Sequence, residues 1–103
     1  MKRLISAICV LFFLLPLSAQ ETYQKETFIS SRGDTLQYRL LQPENMKKSE
    51  KYPLVLFLHG AGERGNDNER QLTHGGQMFL NPVNREKYPA FVLAPQCLSL
   101  IHI

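Results

Sequence analysis

The chain has 103 residues, 44% of them hydrophobic, with six glycines, six prolines and a formal charge of +3. That apolar fraction excludes a disordered or low-complexity chain, and the length excludes a complete multi-domain enzyme. Two of the cationic residues, Lys2 and Arg3, sit at the extreme N-terminus; without them the charge falls to +1, so the basic balance gives no footprint for nucleic acid.

Those two cations precede an apolar run, Leu4 to Leu15, interrupted only by Ser6, and then Pro16-Leu17-Ser18-Ala19-Gln20. A charged start, a short apolar stretch and small residues after it are the anatomy of a secretory signal peptide. The run is well short of the roughly 20 apolar residues that span a bilayer. Residues 1–19 are therefore expected to be a cleaved export signal rather than a stable membrane anchor, and the product periplasmic or secreted. Cys9 lies inside the apolar run, not at its end after a small residue, which speaks against a lipid anchor. Beyond residue 19 the chain holds one cysteine, Cys97, so stability must come from packing and not from an internal disulfide.

Gln24 to Ser31 has strand character through Thr27, Phe28 and Ile29. Ser31-Arg32-Gly33-Asp34 is turn chemistry, and Thr35 to Gln42 alternates Leu36, Tyr38 and Leu40 against Gln37 and Arg39. The pair reads as a β-hairpin whose second strand buries the leucine–tyrosine face. After a polar loop, Leu54-Val55-Leu56-Phe57-Leu58 is uniformly apolar, as in a parallel strand covered on both faces. Phe91-Val92-Leu93-Ala94 is a second such run. The 32 residues between them are ample for a parallel crossover. Within that crossover, Asn81-Pro82 predicts an N-cap followed by proline at the first helical position, opening a short helix through Lys87. A further turn or two is expected over Asn68 to His74. The fold class is α/β: a hairpin plus two parallel strands joined by a crossover with short helices.

The segment that carries chemistry is His59-Gly60-Ala61-Gly62-Glu63-Arg64-Gly65-Asn66-Asp67, directly after the first apolar strand. Ligands of open α/β sheets bind beyond the C-terminal ends of such strands. Gly60 to Gly65 matches G-x-G-x-x-G, the dinucleotide pattern. Asn66 to Gln71, however, offers no apolar stripe to pack a helix, and the next strand ends in Ala94-Pro95-Gln96 without a carboxylate for a ribose. The alternative is a loop that aims backbone N–H groups at an oxyanion. His-Gly-x-Gly after an apolar strand resembles the first oxyanion element of α/β-hydrolases.

The resemblance extends over Tyr52 to Asn68 and Tyr88 to Cys97, which look like the secreted bacterial "predicted peptidase" and phospholipase/carboxylesterase-like branch of that superfamily. It covers nearly all of residues 20–97, which it implies are the N-terminal part of an α/β-hydrolase domain, three-layered when complete, with its first four strands in the order 1-2-4-3. It implies that the Ala61 N–H, flanked by Gly60 and Gly62, is one oxyanion donor, and that His59 supports the loop without being the triad base. Glu63 and Arg64 are expected to brace the loop by pairing with each other, or to touch substrate. His74 and His102 are read as surface or loop residues rather than metal ligands. No G-x-S-x-G occurs, and Ser30, Ser31, Ser49 and Ser99 lack the glycines of a nucleophile elbow. The nucleophile, acid and base are expected downstream of a truncated reading, with residues 98–103 a non-native end. The implied function is an exported serine hydrolase acting on a small-molecule ester or peptide substrate, with no metal or organic cofactor. The alternative is a small exported anion-binding module, or an inactive remnant, using the glycine-rich loop.

Overall fold

A computed structural model describes residues 22–98. The expected export signal, residues 1–19, and residues 99–103 of the expected non-native end lie outside them, as do Ser99 and His102. The elements are β1 (Gln24–Ile29), β2 (Thr35–Leu41), β3 (Leu54–Leu56), α1 (Pro82–Lys87) and β4 (Phe91–Pro95). Short 3-10 turns at Ala61–Glu63, Arg70–Leu72 and Gly76–Leu80 punctuate the crossover.

The four strands form one sheet in the order β1-β2-β4-β3. The hairpin aligns Gln24 with Leu40 and Ile29 with Thr35. At its turn, Gly33 takes φ +88°, a left-handed conformation that glycine adopts without steric penalty. Ser30 Oγ accepts the N–H groups of Arg32 and Asp34 there. Strand β4 then runs antiparallel to β2, with Leu41 opposite Val92, and parallel to β3, with Val55 also opposite Val92. The sheet is thus the α/β arrangement expected, with β4 inserted between the hairpin and β3.

Helix α1 starts as its capping residues dictate: Asn81 Oδ1 accepts the N–H groups of Val83 and Asn84, and Pro82 opens the first turn. Arg85 ties the helix back to the sheet through Glu44 (2.8 Å) and the Gln42 carbonyl (2.9 Å). The buried apolar core is small: Tyr23, Leu41, Leu72, Val92 and Ala94, with Val55, Phe57, Phe79 and Leu80 packed on it. Gly75 lets the crossover approach Phe57 closely. It turns at φ +92°, and a Cβ there would sit 3.1 Å from the Phe57 ring, which meets Phe79 edge-on. Tyr23 donates its hydroxyl proton to the Gly76 carbonyl (2.8 Å), and burial pushes the phenol up to about 12.

Three expectations need correction. On β2 the polarity of the alternation is reversed: Arg39 and Leu41 are buried, while Leu36 is exposed and Tyr38 and Leu40 are half-buried. Arg39 can face inward because its guanidinium meets the main-chain carbonyls of Asn68 and Tyr23. Strand β3 is shorter than Leu54–Leu58, although the Phe57 N–H still donates to the Leu93 carbonyl at 2.9 Å. Nor is β3 covered on both faces. Leu54, Leu56 and Leu58 are 62%, 57% and 69% exposed, because β3 is an edge strand and no helix among the described residues packs on that face.

Candidate functional site

The glycine-rich segment begins where β3 ends. Gly60 is extended (φ −83°, ψ 177°) and Ala61–Glu63 closes one 3-10 turn on it, the Glu63 N–H donating to the Gly60 carbonyl at 3.3 Å. The first N–H groups of any helical turn lack an acceptor within it. Here the Ala61 and Gly62 N–H groups donate to nothing among the described residues. Two adjacent backbone donors are thus presented beyond the C-terminal end of a sheet strand, on a single short turn rather than at the head of a long helix.

His59 fixes the start of that turn. The Cys97 N–H donates to His59 Nε2 at 2.9 Å, so this nitrogen carries the lone pair. The proton therefore resides on Nδ1, which donates to the Gly60 carbonyl at 2.6 Å. Both ring nitrogens hold backbone, and neither is open to a substrate. Glu63 and Arg64 brace the loop, but not through each other. Arg64 Nε donates to the Ala61 carbonyl (2.7 Å), and Glu63 faces His74 Nε2 across 3.5 Å. The reason is directional: the guanidinium folds back over the turn while the carboxylate points across to the loop at His74, whose ring is otherwise exposed. Among the described residues no group of three His, Cys, Asp or Glu side chains comes together as a metal site would require.

The rest of the loop is held by a buried polar group that composition alone does not single out. Asn68 sits at φ +53°, a conformation asparagine tolerates better than most residues. Its side-chain amide donates to the Tyr38 and Glu26 carbonyls, which are opposite each other on β2 and β1. Gln71 donates to Asn68 Oδ1 (2.6 Å) and to the Ala94 carbonyl (3.3 Å). Arg39 donates from Nε to the Asn68 carbonyl (2.6 Å) and from a terminal nitrogen to the Tyr23 carbonyl (2.7 Å). Gln96, 1% exposed at the end of β4, completes the set: Oε1 accepts the Asn68 N–H (2.7 Å), and Nε2 donates to the Glu63 carbonyl (3.1 Å) and Asp67 Oδ1 (2.8 Å). That bond from Gln96, with the N–H groups of Arg70 and Glu69 and the charge of Arg70 adding to it, holds the Asp67 carboxyl down to about 2. The signal available for Gln96 was its place, a polar residue immediately beyond the C-terminal end of a central strand. Asn68 and Gln71 gave none beyond turn propensity.

A cavity of about 550 Å³ lies elsewhere, between α1 and the sheet, lined by Leu41, Val55, Phe79, Tyr88 and Val92 among others. Pro53 and Ala90, which immediately precede β3 and β4, are among its lining, whereas the Ala61 and Gly62 donors follow the C-terminal end of β3.

No family model matches the chain, and no curated protein matches it. Among solved structures it is similar to a thermostable esterase, at a TM-score of 0.71 and 41% identity, over 77% of this chain and 22% of that one. Together with the strand order, this likeness defines the described residues as part of an α/β-hydrolase-type sheet. The chain spans about a fifth of the length of the esterase it resembles.

Proposed function

We propose that the chain is the oxyanion-loop portion of an exported serine hydrolase of carboxylic esters, of the peptidase-like and phospholipase/carboxylesterase-like branch. The observation that carries this reading is the Gly60–Glu63 turn, whose two unengaged N–H groups stand beyond β3 on a loop fixed at both ends. Likeness to an esterase supports ester chemistry over the looser idea of an anion-binding module. In the proposed reaction a serine from further along the polypeptide passes its proton to a base that also lies further along and attacks the ester carbonyl. The carbonyl oxygen takes up negative charge as the tetrahedral intermediate forms, and its collapse to the acyl-serine expels the alcohol with the proton returned by that base. The Ala61 N–H, flanked by Gly60 and Gly62, receives that charge together with the N–H of the residue after the nucleophile. His59 holds the loop and takes no proton from the serine. The donors act on the transition state more than on the neutral ester, so they raise turnover rather than substrate affinity.

The test is hydrolysis of short-chain p-nitrophenyl esters by the polypeptide that joins this segment to a G-x-S-x-G serine. Turnover abolished by a fluorophosphonate is the expected result. Binding of phosphate or carboxylate without turnover would replace the hydrolase reading by the anion-binding one. The 103-residue chain by itself is expected to show no turnover, since it presents donors and no nucleophile. Export is read separately: N-terminal sequencing of protein made in a secreting bacterium is expected to find a start near Gln20, and a mature form retaining Met1 would refute it.

A further inference from the structure

The turn that carries the Ala61 and Gly62 donors is gripped at its two ends by two consecutive residues at the end of another strand. At its start, His59 is held through Nε2 by the Cys97 N–H. At its end, the Glu63 carbonyl is held by Gln96 Nε2. The Gly65 N–H returns to the Cys97 carbonyl at 3.0 Å, and Asp67 and Asn68 are bound by the same Gln96 amide. The Gln96 backbone N–H donates to the Gln37 carbonyl at 3.0 Å, which fixes the residue to β2. Within the loop the turn is held by Arg64, whose Nε donates to the Ala61 carbonyl at 2.7 Å; none of Ala61–Glu63 is buried and no side chain caps the start of the turn.

We propose that Gln96 is a positioning residue for the oxyanion donors, setting the orientation of the Ala61–Glu63 turn from the end of β4. This rests on the esterase reading above and adds to it a residue outside the loop. The chemistry of the three contacts makes glutamine the required side chain. One end must accept from an N–H (Asn68) and the other must donate to two acceptors (the Glu63 carbonyl and the Asp67 carboxylate), within a pocket that leaves Gln96 buried. A glutamate has nearly the same volume but sets a carboxylate oxygen against the Glu63 carbonyl and the Asp67 carboxylate. It breaks the grip at the turn and leaves the Asn68 bond intact. A displaced donor loses its effect steeply, since an ångström of misplacement can cost on the order of 100-fold in rate.

The experiment uses the full polypeptide with its serine, comparing wild type with Gln96→Glu and Asp67→Ala on p-nitrophenyl butyrate, with a trifluoromethyl ketone as transition-state analogue. For Gln96→Glu, kcat is expected to fall about 10- to 100-fold, with KM within about twofold and the analogue's Ki rising in parallel with the loss in kcat. A merely structural role would lower the fraction of active enzyme, seen by fluorophosphonate titration, and leave kcat per titrated site and Ki unchanged. Asp67→Ala removes one acceptor on the exposed side of the same amide and is expected to shift kcat and Ki in the same direction by a smaller factor. It decides the matter should Gln96→Glu not fold. Unchanged kcat per site and Ki in the folded variants would overturn the assignment. A wild-type polypeptide without esterase activity would instead defeat the underlying reading.

Discussion

Replacing Ala61 by proline would remove one hydrogen-bond donor and almost nothing else. Proline needs an extended residue before it, and Gly60 at φ −83°, ψ 177° already has that conformation. Ala61 is the first residue of its helical turn, the position where proline's fixed φ is tolerated and the N–H has no helical partner to lose. Since that N–H donates to nothing among the described residues, its deletion breaks no hydrogen bond within them. The ring should leave stability unchanged or raise it by up to about 1 kcal/mol through the unfolded chain. Catalysis is another matter. Loss of one oxyanion donor costs about 2.7–4 kcal/mol in the transition state, or about 10²–10³ in kcat. The neutral ester does not draw on this donor to the same degree, so KM should stay within about twofold. The assay is steady-state hydrolysis of p-nitrophenyl butyrate by the serine-containing polypeptide, with Ala61→Ser as the control that keeps the N–H. An Ala61→Pro enzyme with an unchanged melting temperature and a kcat close to that of wild type would refute the assignment of this donor.

Asp67 gives a pH test. Its carboxyl titrates at about 2 in the folded chain against 3.8 unfolded, so the stability it contributes is fully present above 3.8 and is lost as pH falls toward 2. Denaturant melts from about pH 5 down to about pH 2 should show a steeper acid loss for wild type than for Asp67→Asn; parallel curves would count against the Gln96 contact. Arg39→Leu is expected to destabilise by about 1–3 kcal/mol for each of the Asn68 and Tyr23 carbonyls left without a donor, read as a lower thermal midpoint. A variant as stable as wild type would mean that water replaces the guanidinium at no cost. The isolated 103-residue chain is expected to aggregate through the β3 edge, and Leu56→Lys to reduce that aggregation in size-exclusion and light-scattering measurements. A monodisperse wild-type monomer with a cooperative thermal transition would refute this.

The sheet is legible in the sequence because its information is local. Uniform apolarity marks β3 and β4, turn residues at Ser30 to Asp34 mark the hairpin, and Asn81-Pro82 marks the start of α1. The loop's place beyond β3 comes from the same pattern. Periodicity cannot supply the partner of each polar group. Arg39 reads as a solvent-facing residue on an alternating strand until Asn68 and Tyr23 are known to turn their carbonyls toward it. Gln96 and Asn68 are 28 residues apart, and no spacing rule links a glutamine amide to the backbone of a distant loop. The Gly76–Leu80 turn has no local signature for a related reason: it is fastened by Tyr23, 53 residues from Gly76.

Because β4 bonds to β2 on one side and β3 on the other, its arrival is a kinetic event for the whole loop. The β1–β2 hairpin closes through neighbouring residues and can form early, within microseconds of becoming available. Strand β3 has no ladder of its own until residues about 37 positions further along reach it, and closing so long a loop carries an entropic cost before any contact repays it. Gln96 and Cys97 come last in that sequence. A nascent chain halted before them could pair its hairpin and still leave His59 to Asn68 without their grip, so the donor loop takes shape only as the strand order closes.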